Sequence, residues 1–238
     1  MRGSVAIITG GGTGIGAATA EELASARVKV VLVGRRPGPL ADVVARIAAR
    51  GWEATSHPAD VTDYGAMEKV VADTVAQYGR VDLLVSNAAV HDASSVAGGN
   101  PAWWRRVVET NVLGGMHIIR ATLPQMYRQG SGHVIIVASV SGRVTYVGEP
   151  VYVASKHALV AFGDCLRQEA SPHGVRVTLI EPGMVDTPLL DNPFARELMK
   201  TVTPLQPADC ARAIRFAFEQ PPHCAVNEIV LRPVKQVL

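Results

Sequence analysis

Seven short strand-like runs, most of them rich in valine and isoleucine, recur along the chain, at 4–9, 28–33, 54–58, 82–86, 133–138, 175–180 and 226–231, and helix-like segments fill the intervals. Each run is brief, and all but the more polar 54–58 are largely β-branched and apolar, the pattern of a strand buried on both faces. In "LADVVARIAARG", Leu40, Val43, Val44 and Ile47 follow helical spacing and Gly51 stops the run. Asn100 before Pro101, and Pro207 opening "PADCARAIRFAFEQ", have the chemistry of helix starts. Alternation of this kind requires right-handed crossovers, so the expected fold is α/β: a doubly wound sheet of seven mainly parallel strands with helices on both faces. No Pro/Ser/Gly linker, low-complexity tract or repeat marks a boundary, and residues 1–238 are expected to form a single domain.

Composition excludes several classes of function. The formal net charge is +2, and no basic block longer than an arginine pair occurs, so a nucleic-acid footprint is not expected. The apolar runs fall well short of the roughly 18 residues of a membrane span, and the N-terminus enters a strand without a cleavable signal. Cys165, Cys210 and Cys224 form no CxxC pair and leave an odd thiol, which fits a reducing compartment and a cytoplasmic protein. His91 and His157 read as solvent or packing histidines. No His/Cys/Asp grouping has zinc spacing, and no metal is expected.

The stretch "AIITGGGTGIGAATAEELA" carries five glycines between positions 10 and 16, after the first run and at the start of a helix. In a doubly wound sheet ligands bind beyond the carboxyl ends of the strands. A glycine-rich turn there brings backbone N–H groups and a positive helix end against a pyrophosphate. No Gly-Lys-Ser/Thr follows, which excludes a Walker loop; on this stretch alone, a turn without a ligand stays open. Further motifs then come in order: Thr9, Gly10, Gly14, Ile15 and Gly16 spell TGxxxGIG, Asp60 and Val61 follow the third run, and Asn87, Ala88 and Ala89 follow the fourth. Asn111 stands in "ETNVLG", Ser139 in "IIVASVSG", Tyr152 and Lys156 in "YVASK", and Pro182 to Thr187 read "PGMVDT".

Over nearly the whole chain these motifs resemble the classical short-chain dehydrogenase/reductase family, which has a Rossmann-like fold. The resemblance implies a nicotinamide cofactor held by Gly10, Thr13, Gly14, Ile15 and Gly16 at the glycine turn. It places Asp60 and Val61 at the adenine, Asn87 and Ala88 in the loop after the fourth strand, and Pro182, Gly183, Val185 and Thr187 at the nicotinamide. It also implies a catalytic tetrad of Asn111, Ser139, Tyr152 and Lys156, with Asn111 holding a water that links Lys156 to solvent; Tyr152 and Lys156 would touch the cofactor too. The family's NAG motif is NAA here, a mild departure. The resemblance further implies a substrate lid around 186–205 and pairing of the long helices into a homotetramer, or failing that a dimer.

The residues themselves support such chemistry. Tyr152 and Lys156 are four apart, so on a helix they share a face and the ammonium can lie below the phenol. A unit charge at about 4 Å and an effective dielectric near 20 is worth roughly 4 kcal/mol, enough to draw a phenol from about 10 toward neutrality, with burial opposing. Ser139 can share developing oxyanion charge with Tyr152. After the second run an NAD enzyme would carry Asp or Glu about 20 residues beyond the glycine turn; here Gly34 is followed by Arg35 and Arg36, whose guanidinium forks suit the 2′-phosphate of NADP. His91, Asp92, Tyr146 and Glu149 are expected around the substrate, together with "LLDNPFARELMKTVTP". The expected function is NADP(H)-dependent interconversion of a small carbonyl compound and an alcohol. The alternatives are a non-catalytic NADP-binding regulatory protein, against which the intact tetrad speaks, and a lyase or epimerase using the same tyrosine.

Overall fold

The computed structural model describes residues 1–190, 197, 199 and 201–237. Strands β1 (Val5–Thr9), β2 (Lys29–Gly34), β3 (Ala54–Pro58), β4 (Leu83–Ser86), β5 (Gly132–Val137), β6 (Val175–Pro182) and β7 (Glu228–Leu231) form one sheet. Their order is β3-β2-β1-β4-β5-β6-β7, and every pairing among the described residues is parallel. Each of the seven runs is therefore a strand, with boundaries shifted by no more than two residues.

Period-two alternation divides the strands between two cores. Val5, Ile7, Val31, Val33, Leu84, Val134 and Ile136 face α3 (Tyr64–Tyr78), α5 (Gly114–Gln129) and α6 (Pro150–Ala170), meeting Val70, Ile118, Ile119 and Leu159. Ala6, Ile8, Val30, Leu32, Leu83, Val85, Ile135 and Val137 face α1 (Gly14–Ser25), α2 (Pro37–Ala48) and α7 (Pro207–Glu219), meeting Leu23, Val43, Ile47 and Ile214. Burial of such side chains at about 1.5–3 kcal/mol each is what holds the layers together. Helix α2 starts three residues before Leu40 because Pro37 sits in its first turn, where its missing N–H costs nothing. Asn100 caps α4 (Pro101–Val108) by accepting from Ala102 N at 2.9 Å. Between α4 and α5, residues Glu109–Leu113 form a π-type turn that the sequence reading did not anticipate.

The strand order places the reversal of winding between β1 and β4. Their connections leave in opposite directions there and open a crevice at the carboxyl ends, where the glycine turn also begins. Among the described residues no helix is long and apolar enough to cross a membrane.

One buried polar pair gives the fold a pH dependence. The Thr178 hydroxyl donates to Val226 O at 2.5 Å, so it receives the Nε2–H of His133 at 2.7 Å, and Nδ1 is left buried without a partner. Burial, with the nearby Arg176 charge, lowers the imidazole pKa to about 3. The unfolded chain binds a proton here below about 6.5 and the folded chain does not, so this contribution to stability is full above that pH and falls as pH drops toward 3. The slope from this residue approaches ~1.4 kcal/mol per pH unit. Urea denaturation at about pH 7 and about pH 5 should show a loss that His133→Gln reduces; an equal loss in the variant would exclude His133 as its source.

Candidate active site

The site is assembled at the β1–β4 reversal. Gly10, at φ +66°, turns the chain out of β1, and a Cβ there would crowd Asn87 Nδ2 at 2.8 Å. Gly16, inside α1, packs against the Gly10 carbonyl so closely that no side chain fits. The loop after β4 is tied to this turn by Thr9: its hydroxyl accepts from Asn87 N at 2.9 Å and Ala88 N at 3.1 Å, while Asn87 Nδ2 donates to Thr9 O at 2.9 Å. The first turn of α1 carries no acidic residue and its Thr13 N-cap makes no side-chain capping bond, so the leading N–H groups stand ready for an anion.

Two cavities meet at Ala89. The smaller, about 170 Å³, is lined by Gly10, Thr13, Arg35, Arg36, Asp60, Val61 and Ala88, among others. Arg35 and Arg36 are exposed on its rim, and neither makes an ion pair among the described residues. A Cβ on Gly34 would meet only Leu40, at 3.5 Å. Asp60 is more engaged than the sequence suggests: Oδ1 accepts from Thr62 N and Oγ1, and Oδ2 pairs with Arg106 Nη2 at 3.0 Å. Burial would raise its pKa, but the Thr62 and Arg106 contacts outweigh it and the net shift is downward.

The larger cavity, about 420 Å³, is lined by Ile15, Asn87, Ser139, Tyr152, Lys156, Pro182, Gly183, Val185 and Thr187, so the glycine-turn helix, three of the four tetrad candidates and the PGMVDT segment border one space, while Asn111 lies outside its lining. Tyr152 and Lys156 lie on consecutive turns of α6, both buried, with Nζ 5.6 Å from the phenol ring centroid. Lys156 Nζ donates to Val137 O at 3.0 Å, and burial lowers its pKa to about 8. Burial also drives the Tyr152 phenol well above its usual range; Tyr146 and Glu149 add to this, and a hydrogen bond from Ser139 opposes it. In the chain alone, burial therefore sets the direction of both shifts. Ser139 Oγ sits 3.1 Å from Ser141 N and Oγ and 3.3 Å from Pro182 O.

Asn111 lies in the π-type turn, and its amide donors are fully engaged, with Nδ2 giving to Val90 O at 2.9 Å and Ser155 Oγ at 3.1 Å. Its Oδ1 accepts from Val90 N at 2.8 Å. Of the residues expected around the substrate, His91, Tyr146 and Glu149 line the larger cavity, whereas Asp92 does not; it is buried and accepts from Ser94 Oγ. His91 packs edge-on against Tyr152, with ring centroids 4.6 Å apart. Of the lid segment, residues 191–196, 198 and 200 lie outside the described residues. Its ends are pinned: Asp186 N donates to Leu205 O at 2.8 Å and Leu205 N to Met184 O at 2.9 Å.

Sequence reasoning missed three contributors. Thr9 was read only as a motif letter, Ser155 only as a letter of YVASK, and the tail for its last strand but not as part of the site, although Lys235 and Val237 line the larger cavity and Gln236 Oε1 accepts from Met184 N at 2.9 Å. These contacts span dozens of residues and leave no local pattern. The Thr9 hydroxyl yields a clean expectation: Thr9→Val strands two half-buried N–H groups and should cost about 1–2 kcal/mol in urea unfolding, while Thr9→Ser should restore most of it. Equal stability of the valine variant would show that the β1–β4 tie does not depend on the hydroxyl.

Comparison with known proteins identifies the family and the fold. Residues 4–197 match the model of the short chain dehydrogenase family. An uncharacterized oxidoreductase of Staphylococcus saprophyticus is 38% identical over 235 residues, covering 98% of this chain and 99% of that one. A glycine betaine reductase of Emericella nidulans is 35% identical over 98% of this chain, which corresponds to 19% of that much longer protein. Among solved structures, a metagenomic short-chain oxidoreductase in complex with NADP superimposes with a TM-score of 0.86 at 29% identity, over 99% of both chains. Levodione reductase gives 0.90 at 27% identity, over 97% of this chain and 96% of that one. With the seven-stranded parallel sheet and the glycine turn at its reversal, these matches make the chain a member of the short-chain dehydrogenase family of oxidoreductases.

Proposed function

We propose that the protein is an NADP(H)-dependent oxidoreductase that interconverts a ketone or aldehyde and the corresponding alcohol, using Tyr152, Ser139, Lys156 and Asn111. The observation that carries this reading is the burial of Tyr152, Lys156 and Ser139 in the lining of the larger cavity, beside the Pro182–Thr187 segment. A phenol whose ionisation is suppressed by burial holds its proton, which suits it to protonate the oxygen of a carbonyl as that oxygen gains negative charge. Ser139 donates to the same oxygen. Lys156, with its pKa lowered to about 8, can replace the lost proton, and its charge favours the tyrosinate needed in the reverse direction. Asn111 acts through position, fixing the Val90 loop to Ser155 on α6.

The cofactor would supply or accept the hydride. Its pyrophosphate would rest on the glycine turn and the open first turn of α1, with Asp60, Val61, Asn87 and Ala88 around the adenosine half and Pro182, Gly183, Val185 and Thr187 at the nicotinamide. NADP is favoured over NAD because Arg35 and Arg36 border the smaller cavity while Gly34 stands where a ribose-binding acid would be. The bound NADP of the metagenomic relative supports this choice. The pinned segment 186–205 serves as the lid of a single dinucleotide-binding and catalytic domain. Exposed Leu113 at the end of the π-type turn, Phe216 on α7 and Val230 on β7 support a tetramer or dimer, which light scattering would test. The three free cysteines suit the cytoplasm.

The test is a panel of aldehydes, ketones and alcohols assayed by NADPH and NADH absorbance; no turnover with either cofactor would reject the reading. Tyr152→Phe should reduce turnover by ~10²–10⁴ with NADPH affinity nearly unchanged, and a variant of near-normal turnover would remove Tyr152 from the chemistry. Wild type should favour NADPH by about ten- to a thousandfold in kcat/KM. Gly34→Asp with Arg35→Ser should reverse that order, since the added carboxylate has room beside Leu40 and repels the phosphate. A wild-type ratio near one would overturn the cofactor assignment.

A further inference from the structure

The substrate cavity contains a carboxylate that the carbonyl chemistry does not require. Glu149 immediately precedes α6, and its side chain, 15% exposed, lines the cavity three residues before Tyr152. Oε2 accepts from the Tyr146 hydroxyl at 3.1 Å. Oε1 lies 3.1 Å from His91 Nε2, close enough for an ion pair but outside hydrogen-bond geometry, so that nitrogen is buried without a hydrogen-bond partner. No lysine or arginine reaches Glu149 among the described residues. Lys156 donates instead to Val137 O, and Lys235 is an exposed residue of the cavity lining.

A carboxylate withdrawn from water without a permanent cation beside it is costly, and a cation entering the cavity would relieve that cost. Its charge also adds to the burial that suppresses ionisation of Tyr152, which hinders the alcohol-oxidising direction, where the tyrosinate is needed. A glutamine could hold Tyr146 without that penalty, so the charge is best explained by what it binds. The surroundings specify the cation further. Tyr146, His91 and Tyr152 offer aromatic surface, which attracts a positive group. Met184, Val185, Leu189 and Val202 offer only apolar contact, which would leave the N–H groups of a primary ammonium unmet but suits alkyl groups on nitrogen.

We propose that the substrate is a carbonyl compound, or its alcohol, carrying an alkylated ammonium group, and that Glu149 is the residue that selects it. This rests on the oxidoreductase reading above. The reaction would be aldehyde plus NADPH plus a proton giving alcohol plus NADP⁺, with the ammonium group unchanged throughout.

The experiment compares trimethylammonioacetaldehyde with tert-butylacetaldehyde, an isostere in which carbon replaces the charged nitrogen, in wild type, Glu149→Gln and Glu149→Asp. Binding of choline and of its tert-butyl analogue to the same proteins is measured by calorimetry. Wild type should favour the cationic aldehyde by at least about tenfold in kcat/KM; that ratio should fall at least about tenfold in Glu149→Gln and be largely retained in Glu149→Asp. Choline should bind more tightly than its neutral analogue, with the same dependence on the carboxylate. A wild-type ratio near one, or a ratio indifferent to Glu149→Gln, would overturn the assignment of Glu149. If neither aldehyde is turned over, nor any member of the wider panel, the oxidoreductase reading fails; the calorimetry still decides recognition, and choline bound no better than its neutral analogue would overturn it.

Discussion

The site depends on one side chain at the end of the first strand. Parallel strands on either side of a winding reversal diverge at their carboxyl ends, and the gap that makes a binding crevice also makes a weak seam. Thr9 closes the seam without filling it: one hydroxyl accepts two N–H groups from the neighbouring loop, and Asn87 returns a bond to the Thr9 carbonyl. Asn111 repeats the device farther along the same loop, engaging both backbone groups of Val90. The loop between the glycine turn and α6 is thus held by side-chain amides and hydroxyls, because the strand ladder has already ended.

Burial is the second governing term, and here it dominates charge. Tyr152 and Lys156 are placed by helical spacing so that each could stabilise the ionised form of the other, yet in the chain alone both are pushed toward neutrality. The phenol therefore keeps its proton, and Lys156, lowered to about 8, is the member of the pair nearest to titrating around neutral pH. A modest change in local potential, such as a positive ring or a cationic substrate brought alongside, then has leverage that it would lack in water.

Much of this was legible in the sequence because it is written locally. Valine-rich runs need no distant partner to declare a buried strand, and Gly10, Gly16, Tyr152 and Lys156 stand at spacings that carry their own stereochemical reason. What escaped notice depends on distant partners. Nothing near Thr9 announces that residue 87 will lie against it, and nothing near Asn111 predicts a π-type turn or the hydroxyl of Ser155. The direction of the Tyr152 shift was misjudged for a related reason: spacing reveals a neighbouring charge, whereas the depth of burial is a property of the whole fold.

The pinned base of the segment 186–205 has an evolutionary consequence. Because Met184, Asp186 and Leu205 already hold its two ends together, the closure entropy of the span is largely fixed by the scaffold, and added or deleted residues change it only slowly. In the lid role proposed above, the span would be exchangeable like a cassette, while the hydrogen bonds around Ser139 and Lys156, which other segments make, stay in register. Diversification in such a protein has an inexpensive route, by loop grafting, that leaves the chemical machinery untouched.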